Sequence, residues 1–374
     1  MTAFDVIIWA LFFLGVVFIL FQSVRIYKRE REKIHALQRA IAAPADLPDT
    51  QTPRISALVP AWNEAENIKQ LISSFQALRY PSKELIIVAG GNDDTYDSAK
   101  ALSANMLNVT VIAQRPKMGK QVALRDGLLL VTGDIVFLTD ADCVFDDNSL
   151  EKTLKPVIHD GYMAATGGSQ PLQRQKNVPI VIFQWAVEFH SRLYASEHSS
   201  GILGRNCAVR TRAIHETGGF EVDAPSGTDY TLARQLVALG YKIKFVASSA
   251  IETEYPESAR MYFNKKTRWL RNIIVLGYQM KDWASFRAGL RTSLVGIVFL
   301  SLPLIGILHY GFWLLWLLLF FQGVSARIRY LFLLEGNKGL RALGIAILSL
   351  PFDAYIWANG LLQSVFPSLR APWR

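Results

Sequence analysis

Apolar and polar positions along the 374 residues fall into three successive patterns. From Phe4 to Val24 the run FDVIIWALFFLGVVFILFQSV is apolar almost without interruption, and about twenty such residues cross the hydrocarbon core of a bilayer as a helix. The run is too long for a cleaved leader, lacks an Ala-x-Ala site and has no basic segment ahead of it. From Ile55 the period changes. Short apolar runs (ISALVPAW, ELIIVAGG, VTVIAQ and Asp134–Thr139) alternate with stretches of helical spacing (NEAENIKQLISSFQALRY, TYDSAKALSANM and Lys120–Leu130). Strand and helix in alternation predict an α/β domain whose sheet is mostly parallel and covered on both faces. Asn63 is placed to cap the first of these helices.

Beyond Lys120–Leu130 the pattern continues with a strand at AATGGSQ, a helix over VPIVIFQWAVEFHSRLYASEHSS, glycine turns in GILGRNCAVR and ETGGF, a helix in GTDYTLARQLVALG and a final strand in IKFVASSAIETEYP. From Ser258 to Lys281 the residues are aromatic, basic and amphipathic, which suits a helix lying at a membrane surface. Thr292–Val324 is apolar for long enough to make two short spans broken near Leu308-His309-Tyr310-Gly311, or one tilted span with an interfacial piece, and Leu343–Phe366 makes a last span. The reading is four spans, or three. It divides the chain into an N-terminal transmembrane helix (1–25), a cytosolic linker (26–54) rich in proline near Ala42–Arg54, the α/β domain (55–257), amphipathic interfacial helices (258–290) and C-terminal transmembrane helices (291–374). Asp353 falls inside the last span, where a carboxylate is costly and often functional unless it sits at the interface.

Composition agrees with a membrane-attached protein. Apolar residues make up 51% of the chain, and the net charge is +9. The basic residues crowd beside the apolar runs, at Arg25–Lys33, Lys265–Arg271 and Arg327–Arg341. That placement argues for topology and anionic lipid, and against nucleic acid. By the positive-inside rule the Arg25–Lys33 flank is cytoplasmic, which puts the α/β domain there too, at the inner membrane if the cell is bacterial. Cys143 and Cys207 are too few for a disulfide framework and are expected to be free thiols; no histidine pattern suggests zinc.

Ligands of parallel sheets sit at the carboxyl ends of strands. Three such ends converge: Pro60–Asn63, Ala89–Asp94 and Asp140-Ala141-Asp142. Two carboxylates separated by one residue, off the tip of a strand, can hold a hard divalent cation and leave positions for phosphates.

With these pieces in order, residues Ile55 to Asn272 resemble family 2 of the glycosyltransferases, in the membrane-bound branch that includes cellulose-, hyaluronan- and ceramide-glucosyltransferase-like enzymes. VPAWNEAENI resembles the family's opening strand and nucleotide loop, GKQVALRDGL its Gly-Lys-x-x-Ala-Leu helix, and TDAD its acidic metal motif. GRNCAVR, GGF and GTDYTLARQL resemble the acceptor-side turn and the Glu/Thr-Asp motif, and KKTRW the Gln/Arg-x-x-Arg-Trp motif. The resemblance implies a GT-A type nucleotide-sugar-binding domain and an inverting, metal-dependent hexosyltransferase. Its donor is a nucleotide sugar, UDP-sugar favoured and GDP-sugar the alternative, and its cofactor Mg²⁺ or Mn²⁺.

The roles it implies are Asp229 as base with Arg268 and Trp269 completing the catalytic set, Asp142 with Asp140 on the metal, and a donor site of Pro60, Ala61, Asn63, Glu64, Gly90, Asp93, Asp94, Lys120, Asp140 and Lys265. Relatives carry Asp-Asp-Gly-Ser after the second strand, where an acid contacts the base; here Ala89-Gly90 stand there, so Asp93 or Asp94 takes that role or the base is held otherwise. Lys265 replaces Gln or Arg and loses planar bidentate geometry, which weakens a processive reading.

The expected acceptor is the hydroxyl of a membrane lipid at the cytosolic leaflet. The alternatives are a processive polysaccharide synthase, which needs more helices unless the chain pairs with itself or with a partner subunit, a polyprenyl-phosphate glycosyltransferase, and an idle nucleotide-sugar-binding scaffold. Glu188, His190 and His198 either approach the acceptor or belong to a satisfied helix face.

Overall fold

The computed structural model describes residues 2–45, 52–116, 118–221 and 227–369. Within the expected linker, residues 46–51 lie outside the described residues. The chain forms two compact units: one takes Leu37–Arg174 and Arg192–Glu254, and the other takes the segments before, between and after these.

In the first unit, β1 (Ile55–Trp62), α2 (Ala65–Ala77), β2 (Lys83–Gly90), α3 (Thr95–Ser103), β3 (Val109–Ala113), α4 (Gly119–Leu128) and β4 (Ile135–Leu138) follow α1 (Ala3–Ala42), which begins in the other unit. Then come β5 (Cys143–Val144), α5 (Asp147–Ile158), β6 (Ala164–Pro171), α6 (Pro179–Arg192, nearly all in the other unit), β7 (His198–Ser199), β8 (Cys207–Arg210), α7 (Thr211–Glu216), α8 (Thr228–Ala238) and β9 (Ile243–Thr253).

The sheet runs β3-β2-β1-β4-β8-β6-β9-β5, with β7 on β9. β3, β2, β1 and β4 are parallel neighbours, and so are β6 and β9; β8 runs antiparallel to both β4 and β6. The carboxyl ends of β1, β2 and β4 therefore open on one edge. Strands buried on both faces read as continuous apolar runs, and β1 shows why: Ala57 and Val59 join a core with Phe75, Ile87 and Phe137, while Leu58 joins the opposite core with Val88, Leu124 and Leu232. Gly127 lets α4 lie close on the sheet, since a Cβ there would come within 2.4 Å of Leu58 Cδ1.

Two local expectations are corrected, and one segment without an expectation takes form. Asn63 does not cap α2: it takes a positive φ of 57°, and its side chain accepts from the Asn92 amide instead. The helix expected to run through His198 ends at Arg192, because His198 and Ser199 pair as β7 with Lys244 and Ile243. Between Cys143 and Ile158 the structure adds β5 and α5, the latter capped by the Asp146 carboxylate on the Ser149 amide at 2.7 Å.

Among the described residues, three stretches, largely in the second unit, are long and apolar enough to cross a membrane: Ala3–Ala42, Trp283–Ile305 and Gly311–Val365. The last is a pair of helices, α11 (Gly311–Glu335) and α12 (Leu343–Val365), joined by 3-10 turns. Helix α1 carries its helical pattern through the basic flank to Ala42. α9 (Ala259–Gln279) and α10 (Trp283–Ile305) meet at a close turn, where a Cβ on Gly277 would reach the Phe286 amide at 2.9 Å. Residues 283–290 thus belong to the first turns of α10, capped by Asp282 on the Ser285 amide, rather than to a separate interfacial helix. Helices packed in lipid approach through small residues, as Gly296 does against Ala354.

Candidate functional site

The β1 and β2 ends are knitted into one surface. The Asn63 amide donates to the Gly90 carbonyl at 3.1 Å, and its side-chain oxygen accepts from Asn92 at 2.7 Å. Gly91, with φ of 141°, passes so near that a Cβ would meet that oxygen at 2.3 Å. Asp93 accepts from the Ala65 amide at 3.2 Å and from the amide and hydroxyl of Thr95, whose oxygen in turn accepts from the Glu64 amide at 2.7 Å. Burial would raise the Asp93 carboxyl, but these bonds outweigh it and hold the group below its ordinary range. Both acids are exposed, but Asp93 is engaged in shaping the loop, while Asp94 stands at the start of α3. Pro60 and Ala61 are strand residues of β1, and Gly90 closes β2 with its backbone against the Trp62 ring.

The β4 end carries the acids. Asp140 forms an ion pair with Lys120 in the first turn of α4. Burial disfavours the Lys120 ammonium, yet Asp140 and Asp229 more than offset this and raise its pKa. Asp142 accepts from the Thr253 hydroxyl at 3.2 Å, and Arg205 donates to the same hydroxyl at 3.3 Å. Glu64 is pushed up to about 7, first by burial and then by the negative field of Asp142, Asp140 and Glu254, with a bond from Asn67 working the other way. A field that resists one more negative charge suits a cation, and the donors are hard carboxylate oxygens. Among the described residues no group of three or more His, Cys, Asp or Glu is placed to hold an ion. An ion on Asp140 and Asp142 would therefore draw its remaining ligands from water or substrate phosphates.

Asp229 lies in the first turn of α8, its carboxylate on the Tyr230 amide at 2.9 Å. Lys120 and Asp229 line one recess with Leu138, Thr139, Phe220 and Gly204. Gly204 is needed there, because a Cβ would stand 3.1 Å from that of Asp229. Arg205 and Thr253 were not singled out from sequence. The GRNCAVR motif holds Arg205, but only the folded strand ends bring it to Thr253. Cys143 and Cys207 are buried free thiols, and burial pushes Cys143 up to about 12.

In the other unit, α9 carries Lys265, Arg268 and Trp269. Lys265 stands 5.4 Å over the Tyr255 ring and 5.2 Å from that of Trp269, with Lys266 4.9 Å over Trp269. Arg268 is exposed. Glu188 accepts from the Tyr255 hydroxyl at 2.7 Å, His190 pairs with Glu30 at 3.0 Å, and His198, in the sheet unit, meets the Tyr162 hydroxyl at 3.1 Å.

A family model described as glycosyltransferase like family 2 matches residues 53–272. The chain belongs to this family. Family 2 relatives include a probable glycosyltransferase, YdaM, of Bacillus subtilis, 27% identical over 235 residues that cover 59% of this chain and 55% of the relative. Another is the poly-β-1,6-N-acetyl-D-glucosamine synthase of Staphylococcus aureus, 25% identical over 223 residues, 58% of this chain and 53% of the relative. The chain spans about half the length of the curated relatives it matches. Among solved structures, a mannosyltransferase of Pyrobaculum calidifontis in complex with GDP-Man and Mn²⁺ shares the fold, with a TM-score of 0.55 and 17% identity over 96% of this chain and 99% of that one. The sheet unit is accordingly a GT-A-like family 2 domain.

Proposed function

We propose that this protein transfers a sugar, with inversion, from a nucleotide-sugar donor to a hydroxyl of a membrane lipid, on the cytosolic side that the Arg25–Lys33 flank favours. The observation that carries the reading is the recess that Asp229 and Lys120 both line while Lys120 is also paired with Asp140. A proton acceptor and a phosphate-seeking cation thus border the same space at the strand ends.

Asp229 takes the proton from the acceptor hydroxyl as its oxygen attacks the anomeric carbon, and the nucleoside diphosphate leaves from the opposite face. Lys120, shared between Asp140 and the diphosphate, lowers the cost of the charge that develops there. Mg²⁺ or Mn²⁺ held by Asp142 with Asp140 would supply further neutralisation of that charge. Asn63, Glu64 and Asp93 shape the donor loop around Pro60, Ala61 and Gly90, and Asp94 is the exposed acid left to meet the base. Lys265, Arg268 and Trp269 are assigned to diphosphate and acceptor on their motif.

A second reading, a processive synthase subunit, is favoured by the Staphylococcus aureus relative named as a polysaccharide synthase. The deciding experiment offers UDP-N-acetylglucosamine, UDP-glucose and GDP-mannose to the membrane-embedded protein, with and without Mn²⁺, and weighs the products. A lipid carrying one sugar supports the proposal, and a long polymer moves it to the synthase. A lipid product still formed at near-native rate by Asp229→Asn points to an ionised phosphate acceptor, which needs no base.

A further inference from the structure

Asp353, ten residues into α12, is a carboxylate in a stretch apolar enough to cross a membrane, and nothing in the proposed reaction uses it. The structure surrounds it with partners. Arg327 of α11 donates to its Oδ2 at 2.7 Å, and the Tyr262 hydroxyl of α9 donates to its Oδ1 at 2.8 Å. The guanidinium is itself completed by the Ser349 hydroxyl at 3.0 Å and the Gly323 carbonyl at 3.3 Å. Arg327 and Asp353 keep only 14% and 10% of their side-chain surface. A charge pair this enclosed is weak evidence for stability, because hydrophobic residues of similar volume would serve as well, but it does specify which partners meet.

What it specifies is the seat of α9. Tyr262 meets α12 at Asp353, and two turns further along Leu270 lies on Gly360, where a Cβ would reach Leu270 Cδ2 at 2.9 Å. Phe263 stacks on Tyr355 and lies tilted against Phe352. The two helices thus run side by side in the same direction. Apolar contacts such as Leu270 on glycine tolerate sliding by a turn; the directed bond from Tyr262 to a single paired carboxylate does not. Lys265, Arg268 and Trp269 lie on the same helix, within two turns of Tyr262.

We infer that Tyr262, Asp353 and Arg327 form a positioning lock that sets the register and rotation of α9, and through it the placement of Lys265, Arg268 and Trp269. The inference rests on the reading that this motif serves sugar transfer, but its first test does not need turnover. In this chain embedded in membranes, single cysteines replace Thr267, which is buried at 2% exposure, and Arg268, which is exposed. The native cysteines are buried and give little background. A water-soluble maleimide is expected to label Arg268→Cys rapidly and Thr267→Cys slowly. Adding Tyr262→Phe is expected to bring the two rates together, with a rise of about tenfold at Thr267→Cys. An unchanged pattern overturns the inference.

The second test reads transfer with whichever of UDP-N-acetylglucosamine, UDP-glucose or GDP-mannose the membranes turn over. Tyr262→Phe is expected to lower kcat about tenfold at unchanged melting temperature and to add nothing to the loss in Arg268→Ala. Additive losses with a lowered melting temperature make the network merely structural and overturn the lock. Should Asp353→Asn fail to fold, Tyr262→Phe alone still decides. Normal turnover in Arg268→Ala would sink the assignment of the motif while leaving the labelling result standing, so the two failures are distinguishable.

Discussion

In the proposed reaction Asp142 and Asp229 are separated by role as well as by sequence. Asp142 is held by the Thr253 hydroxyl beside Arg205, and Asp229 sits on its own helix turn, lining with Lys120 a recess beside Gly204. Asp142→Ala and Asp229→Asn are each expected to cut turnover by roughly a hundredfold or more, because in that proposal one supplies charge stabilisation and the other the base. Initial rates on the donor found active check this, and a rate within a fewfold of native in either rejects its assignment. Glu64 offers a test of the surrounding field without turnover. Its folded pKa of about 7 lies above the ordinary 4.5, so the protonated form is favoured by folding. Stability from this group is full below pH 4.5 and is lost as pH rises through 7, by up to about 3 kcal/mol. Melting temperatures of the metal-free protein between pH 5 and 8 should fall with pH, and Glu64→Gln should flatten that slope.

At the scale of elements, the strands and helices that bear motifs are those whose period is plain. β1, β2, β3 and α4 fall where alternation places them, because strands buried on both faces need unbroken apolar runs. What escaped was tertiary in origin. β7 exists only because β9 offers His198 and Ser199 a partner, and β5 is a two-residue strand with no period to read. Asn63 looked like a cap because Asn often is one, yet the turn between β1 and α2 needed a residue tolerant of positive φ, and its side chain went to the Asn92 amide. The tight seat of α4 gives an element-level prediction. Gly127→Val should destabilise the protein by about 2 kcal/mol through overpacking against Leu58 and Val88. Thermal or denaturant unfolding of the detergent-solubilised protein would register it; an unaltered midpoint would mean the helix can lift off the sheet at little cost.

For the whole molecule, metal dependence is the broadest expectation. Chelation by EDTA should abolish transfer and Mn²⁺ or Mg²⁺ restore it, while the melting temperature changes little, since the two cores flanking the sheet form from apolar side chains alone. A rate indifferent to EDTA would put the whole burden of the diphosphate on Lys120 and its neighbours. The sequence by itself determined the apolar stretches at both ends, the α/β alternation and the acids Asp140, Asp142 and Asp229, because hydrophobic period and motif spacing are local properties that survive without coordinates. Tertiary structure alone decided that Lys120 pairs with Asp140, that Arg205 and Thr253 stand by Asp142, and that Asp353 meets Arg327 and Tyr262. Each of these joins residues far apart in the chain, and which distant side chains meet is settled by strand order and helix packing, not by spacing along the chain.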